Sequence, residues 1–582
     1  MRRGICLLAT AACVAMMPGR AAAVEHHCQI GKLLDLPVTI VDRQPTVEAT
    51  LDGHALRLAV DSGAFFSSLS PGTAAEYGFK RHMAPQELRV YGIGGEVETD
   101  ITTIDDFKLG RLQLHHVEFL VGGSEVGAAG LLGQNILGVT DVEYDLGNGA
   151  IRLMRPEHCD KDLNLAYWAK GKSVSVEEIE PVKSAQFHTQ GTVVLNGVKL
   201  KAMFDTGAAA TLLSTRAAAR AGVKPGSPGV VEAGYQGGLG RGNIETWIGS
   251  FDSLQIGDDE RIEKIRLRFG DLGDMNDIDM LIGADFFLSH RVYVSNKLHR
   301  MYFTYNGGPV FDLSMNRPTK PVAGGELTSA AAYGGRGMAS AARHEYAAAL
   351  ADLTHAVALA PDDGHYRYQR ATIELAMHDE KAGSADLDAA IARLPDDATA
   401  RLARAWLRVK QDDHTGAEAD ADAADRILAT PSDTRFELGT LYDALDLSKQ
   451  AIRQYGIWID AHPRDNKLAT AYNNRCWARV THGMDLDDAL SDCNHGLHLR
   501  PHDPSILDSR GLVRLERGDF DDAIDDYDDA LKRNPKIATS LYGRGVAKLR
   551  LGQRAAGDAD IAAAKKLDAD IAATMKEYGV SP

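Results

Sequence analysis

The sequence predicts a multidomain chain: two all-β domains related by internal duplication, followed by an all-α solenoid of helical repeats. Three observations predict it. Residues 28–160 and 161–318 are rich in Val, Ile, Leu, Thr and Gly in short alternating runs, whereas from about 319 onward Ala, Asp, Leu and Arg recur with helical periodicity. One three-part pattern occurs twice in the β half, in the same order. Prolines punctuate the helical half at near-constant spacing. At roughly 100–200 residues per domain, 582 residues leave room for three or four domains. The expected partition is an export signal over 1–23, β domains over 24–160 and 161–318, and helical repeats over 319–582.

The N-terminus opens with Arg2 and Arg3, an apolar stretch from Ile5 to Met17, and the small residues Ala21, Ala22 and Ala23. This is the pattern of a secretory signal peptide cut after about Ala23, and it is too short for a membrane span. A lipoprotein signal at Cys13 lacks the expected leucine three residues earlier, where Thr10 stands. An exported chain, periplasmic or secreted from a bacterium, is therefore expected. No other stretch is long and apolar enough to span a bilayer. His26 and His27 beside the new terminus read as a polar, loose end. Removal of the signal leaves Cys28, Cys159, Cys476 and Cys493. An even count in an exported chain suggests disulfides, and a Cys28–Cys159 bridge would clamp the ends of the first β domain. Cys476 and Cys493 fall in two helices of one repeat. Four buried free thiols is the alternative. There is no CxxC and no metal-like spacing.

Within the β half, the run Val47-Glu48-Ala49-Thr50-Leu51 leads into Asp52-Gly53, and Thr192-Val193-Val194-Leu195 leads into Asn196-Gly197. Such pairs between alternating runs predict two-residue hairpins. The duplicated pattern begins at Ala59-Val60-Asp61-Ser62-Gly63-Ala64 and Met203-Phe204-Asp205-Thr206-Gly207-Ala208. Thirty residues past each Asp come the Gly-rich stretches Tyr91-Gly92-Ile93-Gly94-Gly95 and Tyr235-Gln236-Gly237-Gly238-Leu239-Gly240. Leu131-Leu132-Gly133 and Leu281-Ile282-Gly283 close the pattern, their glycines 72 and 78 residues beyond the aspartates. Agreement of three elements in order and spacing identifies a duplicated domain.

Asn316 to Gly325, with Pro318, Pro321 and a glycine pair, reads as the linker to the helical half. Beyond it, prolines stand at 361, 395, 431, 463, 501 and 535, in steps of 34, 36, 32, 38 and 34 residues. Small residues recur upstream, as at Gly337, Ala349 and Ala356 before Pro361, or Gly511, Ala523 and Ala530 before Pro535. They allow two helices to pack closely. This pattern resembles the tetratricopeptide repeat family, with about seven helical pairs, and implies a superhelix whose concave face binds protein. Between Asp519 and Asp529 seven of eleven residues are Asp, without the Gly or terminal Glu of a calcium loop, so the run reads as a solvated helix face.

A lone Asp-Ser-Gly or Asp-Thr-Gly ends ordinary strands often. Here each follows an apolar strand and brings its own Gly-rich hairpin and its own apolar-apolar-Gly segment. The combination resembles the retropepsin-like (retroviral-type) aspartic proteases over roughly residues 35–155 and 180–305, with Ala64 and Ala208 matching that type. The resemblance implies that Asp61 and Asp205 are catalytic and that Ser62, Gly63, Thr206 and Gly207 support their loops. It implies that Tyr91, Gly92, Gly94 and Gly95, with Tyr235, Gly237 and Gly238, form flaps over the peptide, although each Tyr is also explained as a hairpin aromatic packing on a neighbour. Two carboxylates about 3 Å apart share one proton, so one activates water while the other hydrogen-bonds the scissile carbonyl. Retroviral enzymes obtain the second Asp by dimerising. Here the two domains of one chain supply both, or each pairs with its copy in a second molecule.

The expected function is an exported aspartic endopeptidase acting on protein or peptide, with neither metal nor organic cofactor, and a repeat array that holds a protein partner. The alternative is a non-catalytic binding scaffold on a protease-like fold. The net charge of −17 argues against nucleic acid. No nucleophile elbow, HExxH or P-loop occurs in the sequence.

Overall fold

The computed structural model describes residues 28–85, 88–123, 127–161, 163–180, 188–240, 242–273, 277–311, 313 and 327–582. The expected signal peptide (1–23), His26, His27 and the Asn316–Gly325 linker lie outside the described residues.

Both anticipated hairpins form. Leu51 pairs with His54 across Asp52-Gly53, and Leu195 with Val198 across Asn196-Gly197. All four turn residues have positive φ, as the tight turn that suits strand twist requires. Alternation then decides the faces: Val47, Ala49 and Leu51 point inward while Glu48 stays in solvent. The strand Gln44–Leu51 runs through His54–Val60, Gly130–Leu132, Ser68–Leu69, Leu112–Gly122 and Thr99–Leu109 and back to itself, a closed six-strand barrel. Residues 190–282 build the second barrel with the same order of pairings: Gln190–Leu195, Val198–Phe204, Met280–Ile282, Leu212–Ser214, Glu260–Gly270 and Asn243–Ile256. Closure leaves no long free edge within either ring.

The barrels are joined by a third sheet drawn from both. Its order is Gln29–Pro37, Ala150–Glu157, Asp141–Asp145, His290–Ser295, Arg300–Tyr305 and Ser175–Glu178. The junction is the pairing of Val142 with Val294 and Tyr144 with Val292. Glu143, fully buried at that junction, accepts hydrogen bonds from Arg291 at 2.7 Å and from Arg152. The Arg291 guanidinium also lies 4.5 Å from the Trp168 ring. Cys28 and Cys159 are disulfide-bonded at the outer end of this sheet. One apolar core runs through both barrels and includes Phe107, Phe119, Phe204, Phe269 and Phe286.

The helical half comprises, among the described residues, seven helical pairs from Ala330–Ala342 to Arg554–Leu567 and a closing helix, Ile571–Glu577. None of these helices is long and apolar enough to cross a membrane. The small residues do what their spacing required: Gly511 faces the Tyr527 ring, where an added Cβ would lie 2.7 Å from it. In six pairs an arginine of the first helix grips an aspartate of the second. These are Arg336–Asp352, Arg370–Asp386, Arg404–Asp420, Arg475–Asp492, Arg510–Asp526 and Arg544–Asp560. The fourth pair differs: buried Gln454 takes the aspartate's place and meets Arg435 at 2.7 Å. The acidic run lies in the helix Phe520–Arg533, exposed at Asp521, Asp522, Asp525, Asp528 and Asp529, with Asp526 turned inward to its arginine. Cys476 and Cys493 are bonded across the fifth pair. The first helix seats against the barrels: Ala339 enters the shared core, and Gly335 packs so close to Val38 and Gly149 that a Cβ there would sit 2.4 Å from the Val38 carbonyl oxygen.

Candidate active site

Each barrel delivers its aspartate from the end of an apolar strand, His54–Val60 or Val198–Phe204. The loops hang on the apolar-apolar-Gly segments, since Asp61 N donates to Leu132 O at 3.0 Å and Asp205 N to Ile282 O at 2.8 Å. Asn135 accepts from the Ser67 amide and hydroxyl, and Asp285 from those of Thr211, so the residue two past each glycine pins its loop.

The two loops face each other within one chain. Ser62 N donates to Thr206 Oγ1 at 3.0 Å, and Thr206 N to Ser62 Oγ at 2.9 Å. The hydroxyls continue the exchange: Ser62 Oγ donates to Phe204 O at 2.9 Å and Thr206 Oγ1 to Val60 O at 2.7 Å. Ser62 and Thr206 are buried, so these four cross-domain bonds have no water to compete with them. Gly63 and Gly207 are required by close approach. A Cβ on Gly63 would lie 2.4 Å from Asp205 Cγ, and one on Gly207 2.3 Å from Asp61 Cγ.

The carboxylates are held by backbone amides. Asp61 Oδ1 accepts from Gly63 N and Ala64 N, each at 2.8 Å, and Asp205 Oδ1 from Gly207 N at 2.8 Å and Ala208 N at 3.3 Å. Burial, the charge of Asp205 and a hydrogen bond to it push the Asp61 carboxyl well above the usual carboxylate range, against those amides. One proton held between two carboxyl groups is the state this arrangement favours.

Three neighbours escaped sequence reading. Gln44 Nε2 donates to Gly207 O at 2.5 Å, and His188 lies beside the Gly63 backbone and lines the cleft. Each stands 17 residues before its own aspartate and reaches the opposite loop, so equal spacing was the available signal. Burial holds His188 below the ordinary imidazole range. From the shared sheet, buried Tyr144 stands beside Ser62, and burial raises its phenol.

The aspartates floor a cleft of about 1110 Å³. Tyr91, Gly92, Gly237 and Gly238 line it, while Gly94 and Gly95 lie at the tip of the first hairpin, Val90–Gly92 with Gly95–Val97. The tips meet: Gly94 N donates to Leu239 O, and Gly242 N to Gly94 O, both at 2.9 Å. Tyr235 departs from the expected symmetry with Tyr91. A bulge between Glu232 and Tyr235, with Gly234 at φ 71°, breaks the register of the second hairpin. Tyr235 is consequently absent from the cleft lining and lies instead beside Glu245 and Arg500 of the helical half.

Paired barrels, a shared sheet and a cross-bonded double-aspartate loop define an acid-protease-type β pair. Residues 47–136 and 191–286 each match the family described as aspartyl protease, and the two β domains are retropepsin-like members of it. The match covers only the β half. Among solved structures the chain is similar to aspartic proteinase from Irpex lacteus (14% identity, TM-score 0.31, 49% of this chain and 99% of that one). It is also similar to a tetratricopeptide repeat protein from Parabacteroides merdae (14%, 0.34, 42% and 96%) and to PilW, a type IV pilus biogenesis factor (17%, 0.31, 35% and 92%). No curated protein matches the chain.

Proposed function

We propose that this chain is an exported aspartic endopeptidase whose dyad is Asp61 and Asp205 of a single molecule. One observation carries the reading: the two carboxyl groups meet inside a buried, reciprocal set of hydrogen bonds between Ser62 and Thr206. The ionised carboxyl takes a proton from a water molecule as that water attacks the scissile carbonyl carbon. The protonated carboxyl hydrogen-bonds the carbonyl oxygen, and a tetrahedral gem-diol forms without a covalent adduct. Collapse transfers a proton to the leaving nitrogen. The pair titrates as a unit, so its pH profile belongs to the dyad rather than to either residue. Ser62, Gly63, Thr206 and Gly207 hold the geometry, and the two hairpins cover the peptide. Two disulfides and the N-terminal sequence pattern support an oxidising compartment outside the cytoplasm. The repeat array supports a protein-binding role.

Full-length chain incubated with casein between pH 3 and 7 tests the reading. Cleavage is expected, with inhibition by a statine-type mimic and indifference to chelators. Asp205→Asn is expected to lower kcat by about 10²–10⁴-fold, the range that loss of acid–base catalysis produces. Full activity in Asp205→Asn would exclude the internal dyad, and failure of the wild type on casein and on a periplasmic extract would favour a scaffold.

A further inference from the structure

The turn between the helices Ser448–Ala461 and Leu468–Thr481 reaches the second flap. Asn466 Nδ2 donates to Gly238 O at 3.0 Å, and Asn243 Nδ2 donates back to Asn466 O at 3.1 Å. Arg500 Nη2 donates to that same carbonyl at 3.1 Å while its guanidinium lies 5.8 Å from the Tyr235 ring. Farther along the hairpin, Arg533 pairs with Glu245 at 2.7 Å, and Arg464 pairs with Glu98 beside the first flap. The turn is itself braced, since buried Asp465 accepts from Lys467 N at 2.7 Å. Asn466 and Lys467 also line the cleft.

A hairpin tip rich in glycine has little apolar surface to hold it. Its position is set by the Leu239 side chain against Gly92 and Gly123 and by a few hydrogen bonds, here those to the first flap and those to the helical array. Both functions of Asn466 are engaged, the side-chain amide toward Gly238 and the backbone carbonyl toward Asn243 and Arg500.

We propose that Asn466 is a positioning residue of the peptidase, which fixes the second flap over the dyad from the helical array and makes that array the third wall of the catalytic cleft. The proposal rests on the peptidase reading above. Flap closure contributes to substrate binding only while the hairpin is held down, so loosening it is expected to weaken binding more than turnover.

The test compares full-length wild type, Asn466→Ala and Asp397→Ala, the last removing a turn hydrogen bond to Thr399 in a different repeat junction. Amide hydrogen exchange across residues 231–248 is measured alongside thermal midpoint, kcat and KM on a casein-derived peptide. Asn466→Ala is expected to speed exchange in the hairpin about fivefold, the factor one net hydrogen bond supplies. KM should rise by a similar factor, with kcat and thermal midpoint held. Asp397→Ala should leave hairpin exchange and KM as in the wild type. Unchanged hairpin exchange in Asn466→Ala overturns the proposal, as does a fall of thermal midpoint with kcat and KM both impaired, which marks a merely structural residue. A wild type that cleaves nothing overturns the peptidase reading and catalytic positioning together. The exchange measurement still separates that outcome from loss of the contact alone.

Discussion

Asp61 sits where its ionised form is least welcome, buried, facing a second carboxyl, and answered only by two amides. The consequence for stability has a definite sign. A carboxyl whose folded pKa is raised contributes stability that is fully present below its ordinary value of 3.8 and is lost as pH rises through the higher folded value. Asp61→Asn, which keeps the shape and cannot ionise, is therefore expected to raise the thermal midpoint at pH 7 and to change it little at pH 3, while activity falls. Differential scanning calorimetry at the two pH values checks this, and a variant less stable than wild type at pH 7 would contradict it. At this scale the sequence was legible where chemistry is local. Asp61, Asp205 and their loop partners are contiguous in the chain. Gln44, His188 and Tyr144 were not, because each meets a loop carried by another strand or the other barrel, and only the repeated 17-residue offset of Gln44 and His188 marks any such contact.

The strands and helices were legible wherever periodicity and turn chemistry agreed. Asp52-Gly53 and Asn196-Gly197 gave both hairpins because only the tight turn with positive φ fits between those runs. At Tyr235 the second flap follows the alternative reading, a hairpin aromatic against its neighbour, because a bulge changes which face a residue presents, and one glycine among many does not announce it. The shared sheet was not anticipated either, since its central pairing joins residues about 150 apart. That pairing carries a buried ionic cluster in which Glu143 answers to Arg152 and Arg291. Removing one member leaves charge buried without full compensation. Arg291→Ala is expected to cost about 3 kcal/mol. Urea denaturation should show it, and a loss below about 1 kcal/mol would mean that Arg152 and the Tyr167 hydroxyl together satisfy Glu143.

The whole molecule carries a pH signature separate from the dyad. In the helical half, burial raises Asp443 and Asp508 to about 6, and burial with the charge of Asp386 raises Glu374 to about 7. Asp425 and Asp560, paired with basic side chains, lie below the usual range. The raised group contributes stability below about pH 4 that is lost as pH rises through 6 to 7. The lowered group contributes above its ordinary value and is lost in strong acid. Array stability is therefore expected to peak near pH 4–5 and to fall toward pH 8, with Asp443 and Asp508 each contributing on the order of 2–3 kcal/mol. Circular dichroism melts across that range check the direction, and a midpoint that rises from pH 5 to pH 8 would refute it. The repeat spacing made this half legible as helical pairs, but its seat on the barrels depends on contacts such as Gly335 with Gly149 and Asn466 with Gly238, which join residues 186 and 228 positions apart. Those two contacts also mean that the solenoid is fastened at its first helix and again at the turn between its fourth and fifth pairs. The fourth pair, where glutamine replaces the arginine-held aspartate, lies between the fastenings. A superhelix clamped in this way cannot change its pitch freely. Any occupant that tightens or relaxes the curve must be accommodated at the softest joint or transmitted as a pull on the hairpin above the aspartates. The first four pairs are thus geometrically a bow strung across the catalytic half.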